Sequence, residues 1–181
     1  MYDVIVVGAR CAGSPTAMLL ARKGHRVLVL DRARFPSDTF RNHFVRLPAA
    51  RALARWGLLN RVFATNCPPV RKRTMDFGDF PLAGFPPGID DVPGELAPRR
   101  YLLDAILVEA AVEAGAELRE GVVVDDLLWD DDRVVGVRGR DGGQRFEERA
   151  SVVIGADGQR SLVAQKVGGE VRQATPPLTF G

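Results

Sequence analysis

The segment of residues 1–31 constrains the fold of this chain more than any other, because two apolar stretches flank a glycine-bearing turn and a helix. The sequence VIVV at residues 4–7 lacks polar alternation, which predicts a strand (residues 2–7) buried on both faces of a parallel sheet. A helix at residues 14–23 and a second apolar strand at residues 26–30 follow. This order of elements is typical of the βαβ unit that binds dinucleotides.

The turn after the first strand carries Gly8 and Gly13, but Arg10 takes the middle position of the usual G-x-G-x-x-G pattern. The middle glycine normally lets the backbone approach a pyrophosphate at the helix N-terminus, where free N–H groups and the helix dipole favour an anion. Asp31 follows the second strand, where a carboxylate accepts hydrogen bonds from a ribose and repels a 2′-phosphate, which favours FAD or NAD over NADP. The alternative is that the glycines form only a tight turn in an α/β protein that binds no nucleotide.

Composition indicates a globular protein with no nucleic-acid partner. The chain has 181 residues, a hydrophobic fraction of 46% and a net charge of +2, with no long run of Lys and Arg. No apolar run approaches the length of a membrane span and no basic leader precedes the first strand, so we expect no membrane segment and a cytoplasmic location. The acidic run at residues 130–132 is interpreted as a solvated turn, so no metal site is expected.

Cys11 and Cys67 are too few for a disulfide framework. Cys11 lies just before a helix N-terminus, a position that can lower the pKa of a thiol and make it reactive. The alternative is a small residue packed in the turn.

The middle of the chain is predicted to contain a helix at residues 48–56 and then a segment rich in proline and glycine. Two short antiparallel strands are predicted in that segment, at residues 74–77 and 80–82. We expect them to belong to a second, substrate-side layer.

An amphipathic helix is predicted to start at Arg99 and Arg100 and to end at Gly115. An arginine pair at a helix start opposes the helix dipole, which indicates either a nearby anion or a solvated pair. Arg32 also has two interpretations: it either flanks the adenosine or is solvated.

The last third of the chain is predicted to be rich in strands, and the most informative of these leads to Asp157 and Gly158. The predicted elements are a parallel strand (117–119), an antiparallel meander (122–129, 134–140 and 145–150), a buried strand (152–154) and a helix (159–167). An aspartate at the carboxyl end of a buried strand lies where α/β sheets bind ligands. It also suits a helix N-cap, and the two roles are compatible.

Taken together, these segments resemble the FAD-dependent oxidoreductases of the para-hydroxybenzoate hydroxylase type, geranylgeranyl-reductase-like members included. The match rests on the GARCAG turn with Asp31, on the helix that starts at Arg100, and on the GADG sequence at residues 155–158. In that family the first unit holds the ADP half of FAD, the arginine lies near the cofactor, and the aspartate-glycine motif reaches the phosphates and the ribityl side of the flavin. The resemblance implies cofactor-binding roles for Gly8, Arg10, Ala12, Gly13, Asp31, Arg32, Arg41, Arg100, Asp157 and Gly158, and for Val124 beside the adenine.

The resemblance implies an α/β fold: a Rossmann-like FAD-binding domain with a central parallel sheet, an antiparallel three-stranded meander in place of a crossover helix, and the truncated start of a substrate-domain sheet. The expected division is FAD-binding domain, first part (1–65), partial substrate-side insertion (66–97), FAD-binding domain, second part (98–170), and incomplete substrate domain (171–181). Strands at residues 173–180 would be unpaired, so self-association through them is expected.

The leading functional hypothesis is the FAD-binding portion of an NAD(P)H-dependent monooxygenase that hydroxylates an aromatic or polyketide-like small molecule. A flavin-dependent reductase or halogenase on the same scaffold is the alternative enzyme, and a non-catalytic truncated fragment is the alternative from another class. No catalytic side chain is predicted, because the family's residues that face the flavin ring are largely outside this chain.

Overall fold

The computed structural model describes residues 1–39, 42–85, 88 and 92–169. In chain order these residues form β1 (Tyr2–Val7), α1 (Gly13–Ala21), β2 (Val27–Asp31), α2 (Leu47–Arg55), α3 (Leu59–Phe63), β3 (Arg73–Asp76), β4 (Pro81–Gly84), α4 (Arg100–Glu113), β5 (Glu117–Glu120), β6 (Val122–Asp130), β7 (Arg133–Asp141), β8 (Gln144–Gly155) and α5 (Leu162–Lys166). The predicted Arg41 site and the predicted strands at residues 173–180 lie outside the described residues.

A six-stranded sheet in the order β5-β2-β1-β8-β7-β6 forms the centre of the fold. Neighbours among β5, β2, β1 and β8 are parallel, whereas β7 pairs antiparallel with both β8 and β6. The prediction of a central parallel sheet joined to an antiparallel meander is therefore confirmed. The predicted pair of short strands is also confirmed, as the separate antiparallel hairpin β3–β4.

Side chains of β1 and β2 are buried on both faces of the sheet, which explains their lack of polar alternation. One set packs beneath α1 and α4: Val4, Val6, Val27 and Val29. The alternate set packs against β6, β7 and α5: Ile5, Val7, Leu28 and Leu30. The fold thus has three layers, with α1 and α4 on one side of the parallel strands and the meander with α5 on the other.

Two predicted boundaries near the end of the described chain are wrong. The strands predicted at residues 145–150 and 152–154 are one continuous strand, β8. Its first part pairs antiparallel with β7 and its last part pairs parallel with β1, so the character of its side chains changes although the backbone continues. The helix predicted at residues 159–167 is limited to α5, the five residues Leu162–Lys166.

The fold places the start of α4 at the edge of the sheet where the parallel strands end. Because α4 precedes the parallel strand β5, it runs opposite to the strands, and its N-terminus at Arg100 lies near the carboxyl ends of β1 and β2. The hairpin β3–β4 is exposed apart from the half-buried Arg73, which forms an ion pair with the buried Glu95. No helix in the described ranges is long and apolar enough to cross a membrane.

Candidate functional site

The turn between β1 and α1 needs glycine at both ends because backbone atoms approach closely there. Gly8 has a φ of +100°, and a Cβ atom on it would lie 2.4 Å from the carbonyl oxygen of Ala156, beyond the end of β8. A Cβ atom on Gly13 would lie 1.7 Å from the carbonyl oxygen of Gly8. The roles predicted for these glycines, a sharp turn and close helix packing, agree with this geometry.

Helix α1 begins in this turn with its N-terminus free to accept an anion. Its N-cap, Ala12, has no polar side-chain atom to cap the first turn, and that turn contains no acidic residue. The hydroxyl of Ser14 donates to the carbonyl oxygen of Ala9 at 2.6 Å and so braces the turn instead of capping the helix. The first N–H groups of α1 and its dipole therefore favour a negatively charged ligand.

Asp31 is buried at the end of β2 and ties that strand to the glycine turn. Its Oδ2 accepts a hydrogen bond from the Ala9 amide at 2.7 Å, and its Oδ1 accepts one from the Ala33 amide at 2.8 Å. An ionised carboxylate can accept about four hydrogen bonds, so acceptor capacity remains for a ligand hydroxyl. The neighbouring Arg32 is exposed.

Asp157 follows β8 and has one carboxylate oxygen in use and one unpaired. Its Oδ2 accepts from the amides of Leu162 and Val163 at 2.6 and 3.3 Å, so it supports the start of α5. The N-cap position itself, which was one interpretation of Asp157, is occupied by Ser161. Its Oδ1 is buried without a hydrogen-bond partner. Gly158, next in the chain, has a φ of +88°, and no atom lies within 4 Å of the position that a Cβ atom on it would take.

Arg10 and Arg100 converge on Asp104, a residue of α4. Nη1 of Arg10 donates to Oδ2 of Asp104 at 2.6 Å, and Nη2 of Arg100 lies 3.0 Å from Oδ1. Among the described residues, the only non-glycine residues with a positive φ are Asn66 and Asp131. The backbone dihedral angles at Arg10 therefore do not require glycine. The substituted fingerprint position therefore still forms the turn, and its side chain links the turn to α4.

Asp104 is the residue of this site that the sequence interpretation missed. It is fully buried, yet it lies among the apolar positions of an amphipathic helix, beside Leu103 and Leu107. A carboxylate on the apolar face of a helix is costly unless it is paired. The spacing of four residues from Arg100 was the signal that could have identified it.

The thiol of Cys11 points inward, although the residue as a whole is exposed. Its Sγ donates to Oδ1 of Asp104 at 3.4 Å, and desolvation together with the negative charge of Asp104 raises the pKa of Cys11 to about 11. A raised pKa keeps the group as an unreactive thiol at neutral pH. This favours the packed-residue interpretation of Cys11 over the reactive one.

We expect iodoacetamide to alkylate Cys11 about a hundredfold more slowly at pH 8 in the folded chain than in the chain denatured by urea. The thiolate is the reacting species, and a pKa of about 11 leaves it scarce until the pH approaches that value. A Cys67→Ser variant would leave Cys11 as the single cysteine, and the rate should be followed from pH 7 to 11 by mass spectrometry. Equal rates in the folded and denatured chains would contradict the inward position of the thiol.

The site fits FAD because its unpaired polar atoms match groups that this cofactor carries. Within the ranges that the structure describes, two buried side-chain polar atoms lack a hydrogen-bond partner, Nε of Arg100 and Oδ1 of Asp157. Buried polar groups are normally paired, so one donor and one acceptor are available for a ligand. FAD offers phosphate oxygens to the donor and hydroxyl groups to the acceptor. Val124 is half-buried on β6 and packs against the core on the meander side.

The comparisons with known proteins agree with this geometry. The family described as FAD binding domain matches residues 1–180. Over 176 residues the chain is 38% identical to protein FixC of Salmonella typhimurium, a match that covers 93% of the chain and 39% of FixC. Over 177 residues it is 34% identical to the rifampicin monooxygenase of Streptomyces venezuelae, covering 93% of the chain and 34% of that enzyme.

Among solved structures, the myxobacterial chondrochloren halogenase CndH, an FAD-dependent halogenase, superposes with a TM-score of 0.74 at 31% identity. The superposition covers 84% of the chain and 36% of the halogenase. The chain thus spans between about a third and two fifths of the length of these relatives.

Proposed function

Since the chain belongs to the FAD-binding domain family of flavin-dependent enzymes, we propose that it binds FAD along the carboxyl edge of its parallel strands. The observation that carries this proposal is the pair of unpartnered buried atoms, Nε of Arg100 and Oδ1 of Asp157. They lie on two elements that meet the glycine turn after β1. Arg100 is joined to that turn through Asp104 and Arg10, and Gly8 packs against the backbone at Asp157.

Each part of the site has a task that follows from its chemistry. The pyrophosphate lies at the N-terminus of α1, whose turn (Gly8, Ala12, Gly13) has neither an acidic group nor a side-chain cap. Asp31 accepts from the adenosine ribose with its remaining lone pairs, and its charge excludes a 2′-phosphate. Arg100 donates Nε–H to a cofactor oxygen, and Asp157 accepts from a hydroxyl of the ribityl chain.

Peripheral contacts complete the proposed site. Val124 packs beside the adenine, Arg32 flanks the adenosine, and Gly158 keeps the approach to the ribityl chain open. Arg41 is retained as a cofactor-binding residue on the family resemblance alone. The bound flavin supplies the redox chemistry. The residues of this chain bind it and orient it.

For the protein as a whole we propose an NAD(P)H-dependent monooxygenase that acts on an aromatic or polyketide-like small molecule. The support is the 34% identity to rifampicin monooxygenase, whose match covers nearly the whole of this chain. A monooxygenase places one oxygen atom of O₂ in its substrate and the other in water, with two electrons from NAD(P)H. Purified protein loaded with FAD should therefore oxidise NAD(P)H faster when a substrate is added.

A halogenase is the second candidate, favoured by the 31% identity to the chondrochloren halogenase. Isotope and halide tests separate the candidates on a common panel of aromatic substrates. Incorporation of ¹⁸O from ¹⁸O₂ without added halide supports the monooxygenase. A product that forms only with chloride or bromide supports the halogenase, and reduction of an alkene under anaerobic conditions supports a reductase. Each of the last two results would contradict the monooxygenase proposal while leaving FAD binding intact.

A further inference from the structure

Arg10 stands where the dinucleotide fingerprint has its middle glycine, and its guanidinium is held by three protein groups. Nη1 donates to Oδ2 of Asp104 at 2.6 Å, and Nη2 donates to Oγ of Ser37 at 2.9 Å. The guanidinium carbon also lies 5.3 Å from the centre of the Phe35 ring, within range of a cation–π interaction. These contacts fasten the glycine turn to α4 and to the loop that follows β2.

Asp104 is shared by two cations and is isolated from water. Its side chain is 0% exposed, whereas the side chains of Arg10 and Arg100 are 30% and 14% exposed. Arg100 approaches both carboxylate oxygens, at 3.0 and 3.3 Å. Because one carboxylate lies between two guanidinium groups, the cluster of Arg10, Asp104 and Arg100 has a net charge of +1 beside the N-terminus of α1.

We propose that Arg10 is a positioning residue. Because Arg10 pairs with Asp104, the charge of Arg100 is only partly neutralised by that carboxylate, and the charge and the free Nε–H of Arg100 are available to the anionic cofactor. This inference rests on the proposed FAD site. Without Arg10, Asp104 would neutralise Arg100 alone, and the site would lose one positive charge. The arginine at the middle position of the fingerprint then strengthens cofactor binding instead of weakening it.

The effect of this charge on FAD affinity follows from Coulomb's law. Unit charges separated by about 8 Å at an effective dielectric constant between about 20 and 40 change a binding constant by about fivefold to thirtyfold. We therefore expect Arg10→Met and Arg10→Gly to weaken FAD binding about tenfold. Arg10→Gly is the more informative of the two, because it restores the usual fingerprint and yet should bind FAD less tightly.

The test is a set of FAD dissociation constants measured by flavin fluorescence. Arg10→Lys, which keeps the charge, should bind within about threefold of the parent. Arg61→Met is the matched control, because Arg61 also pairs with carboxylates of α4 and its side chain is 31% exposed; its FAD affinity should not change. In an Asp104→Asn background the loss of affinity caused by Arg10→Met should be at least about threefold smaller than in the parent, because the direct effect of the Arg10 charge remains but no carboxylate competes for Arg100.

Two binding results would overturn the inference: an Arg10→Gly variant that binds FAD as tightly as the parent, or an equal loss from Arg10→Met with and without Asp104. If Asp104→Asn does not fold, the comparison of Arg10→Lys with Arg10→Met decides the question. Equal losses in those two variants would show that the charge of Arg10 is not what matters.

A second readout does not depend on FAD. Because Sγ of Cys11 contacts Asp104, removal of the Arg10 charge should disfavour the Cys11 thiolate and slow its alkylation by about threefold or more at pH 9. If the parent chain takes up no FAD, the proposed function fails, and this rate still tests the sharing of Asp104. An unchanged rate in Arg10→Met would overturn the inference.

Discussion

Replacing Asp157 with asparagine is expected to weaken FAD binding about thirtyfold while the chain remains folded. Asparagine can still offer one oxygen to the amide of Leu162, which lies 2.6 Å from the carboxylate. Its other terminal atom is then an NH₂ donor at the position of Oδ1, the acceptor that has no partner in the protein. Loss of a charged hydrogen bond of this kind costs about 1.5–3 kcal/mol. Flavin fluorescence during FAD titration measures the change.

The matched control for Asp157→Asn is Ser161→Ala. The hydroxyl of Ser161 accepts from the amide of Ala164 at 2.9 Å, so its removal weakens the same helix start by about 1 kcal/mol without touching the proposed cofactor contact. Thermal unfolding should show a small loss for both variants, but only Asp157→Asn should lose FAD affinity. If Asp157→Asn binds FAD within twofold of the parent, Asp157 serves the helix alone.

Substitution of Gly13 by alanine is expected to lower the free energy of unfolding by about 3 kcal/mol or more, since the added Cβ atom would meet backbone. That atom would lie 1.7 Å from the carbonyl oxygen of Gly8, and no side-chain rotation relieves such a clash. Relief requires α1 to move away from β1, and overpacking of this kind costs about 1–3 kcal/mol or more. Urea unfolding monitored by circular dichroism measures the loss, and FAD uptake should disappear with it.

Gly24→Ala provides the comparison for Gly13→Ala. Gly24 has a φ of +86° and no atom within 4 Å of an added Cβ, so the change there introduces only the backbone strain of a left-handed residue, about 1–2 kcal/mol. FAD affinity should be retained, because Gly24 lies at the opposite end of α1 from the glycine turn. A Gly13→Ala variant that loses no more stability than Gly24→Ala would contradict the close approach of α1 to β1.

The elements that the sequence predicted best are those with a strong and local signal. The strands β1 and β2 are buried on both faces, which removes the polar positions that would otherwise alternate along them. Gly8 and Gly13 are required by close contacts at the turn, so their spacing alone indicated their role. Local chemistry was therefore sufficient for the βαβ unit.

Features that depend on distant partners were not predicted. Helix α3 has only five residues, too few to show a helical period, and its buried Leu59 and Val62 are explained only by the core that they join. Strand β8 was divided in two because its partners change from β7 to β1 along its length. Asp104 is separated by 94 positions from Arg10, and no local pattern joins them.

The most direct measurement of the central claim is the titration of the purified chain with FAD, followed by its visible spectrum after removal of free cofactor. A folded chain that binds FAD through Arg100 and Asp157 should become yellow, retain one FAD per chain and quench or shift the flavin fluorescence. A colourless chain that is folded by circular dichroism and takes up no added FAD would contradict the claim that this chain forms a flavin site, while the fold would stand.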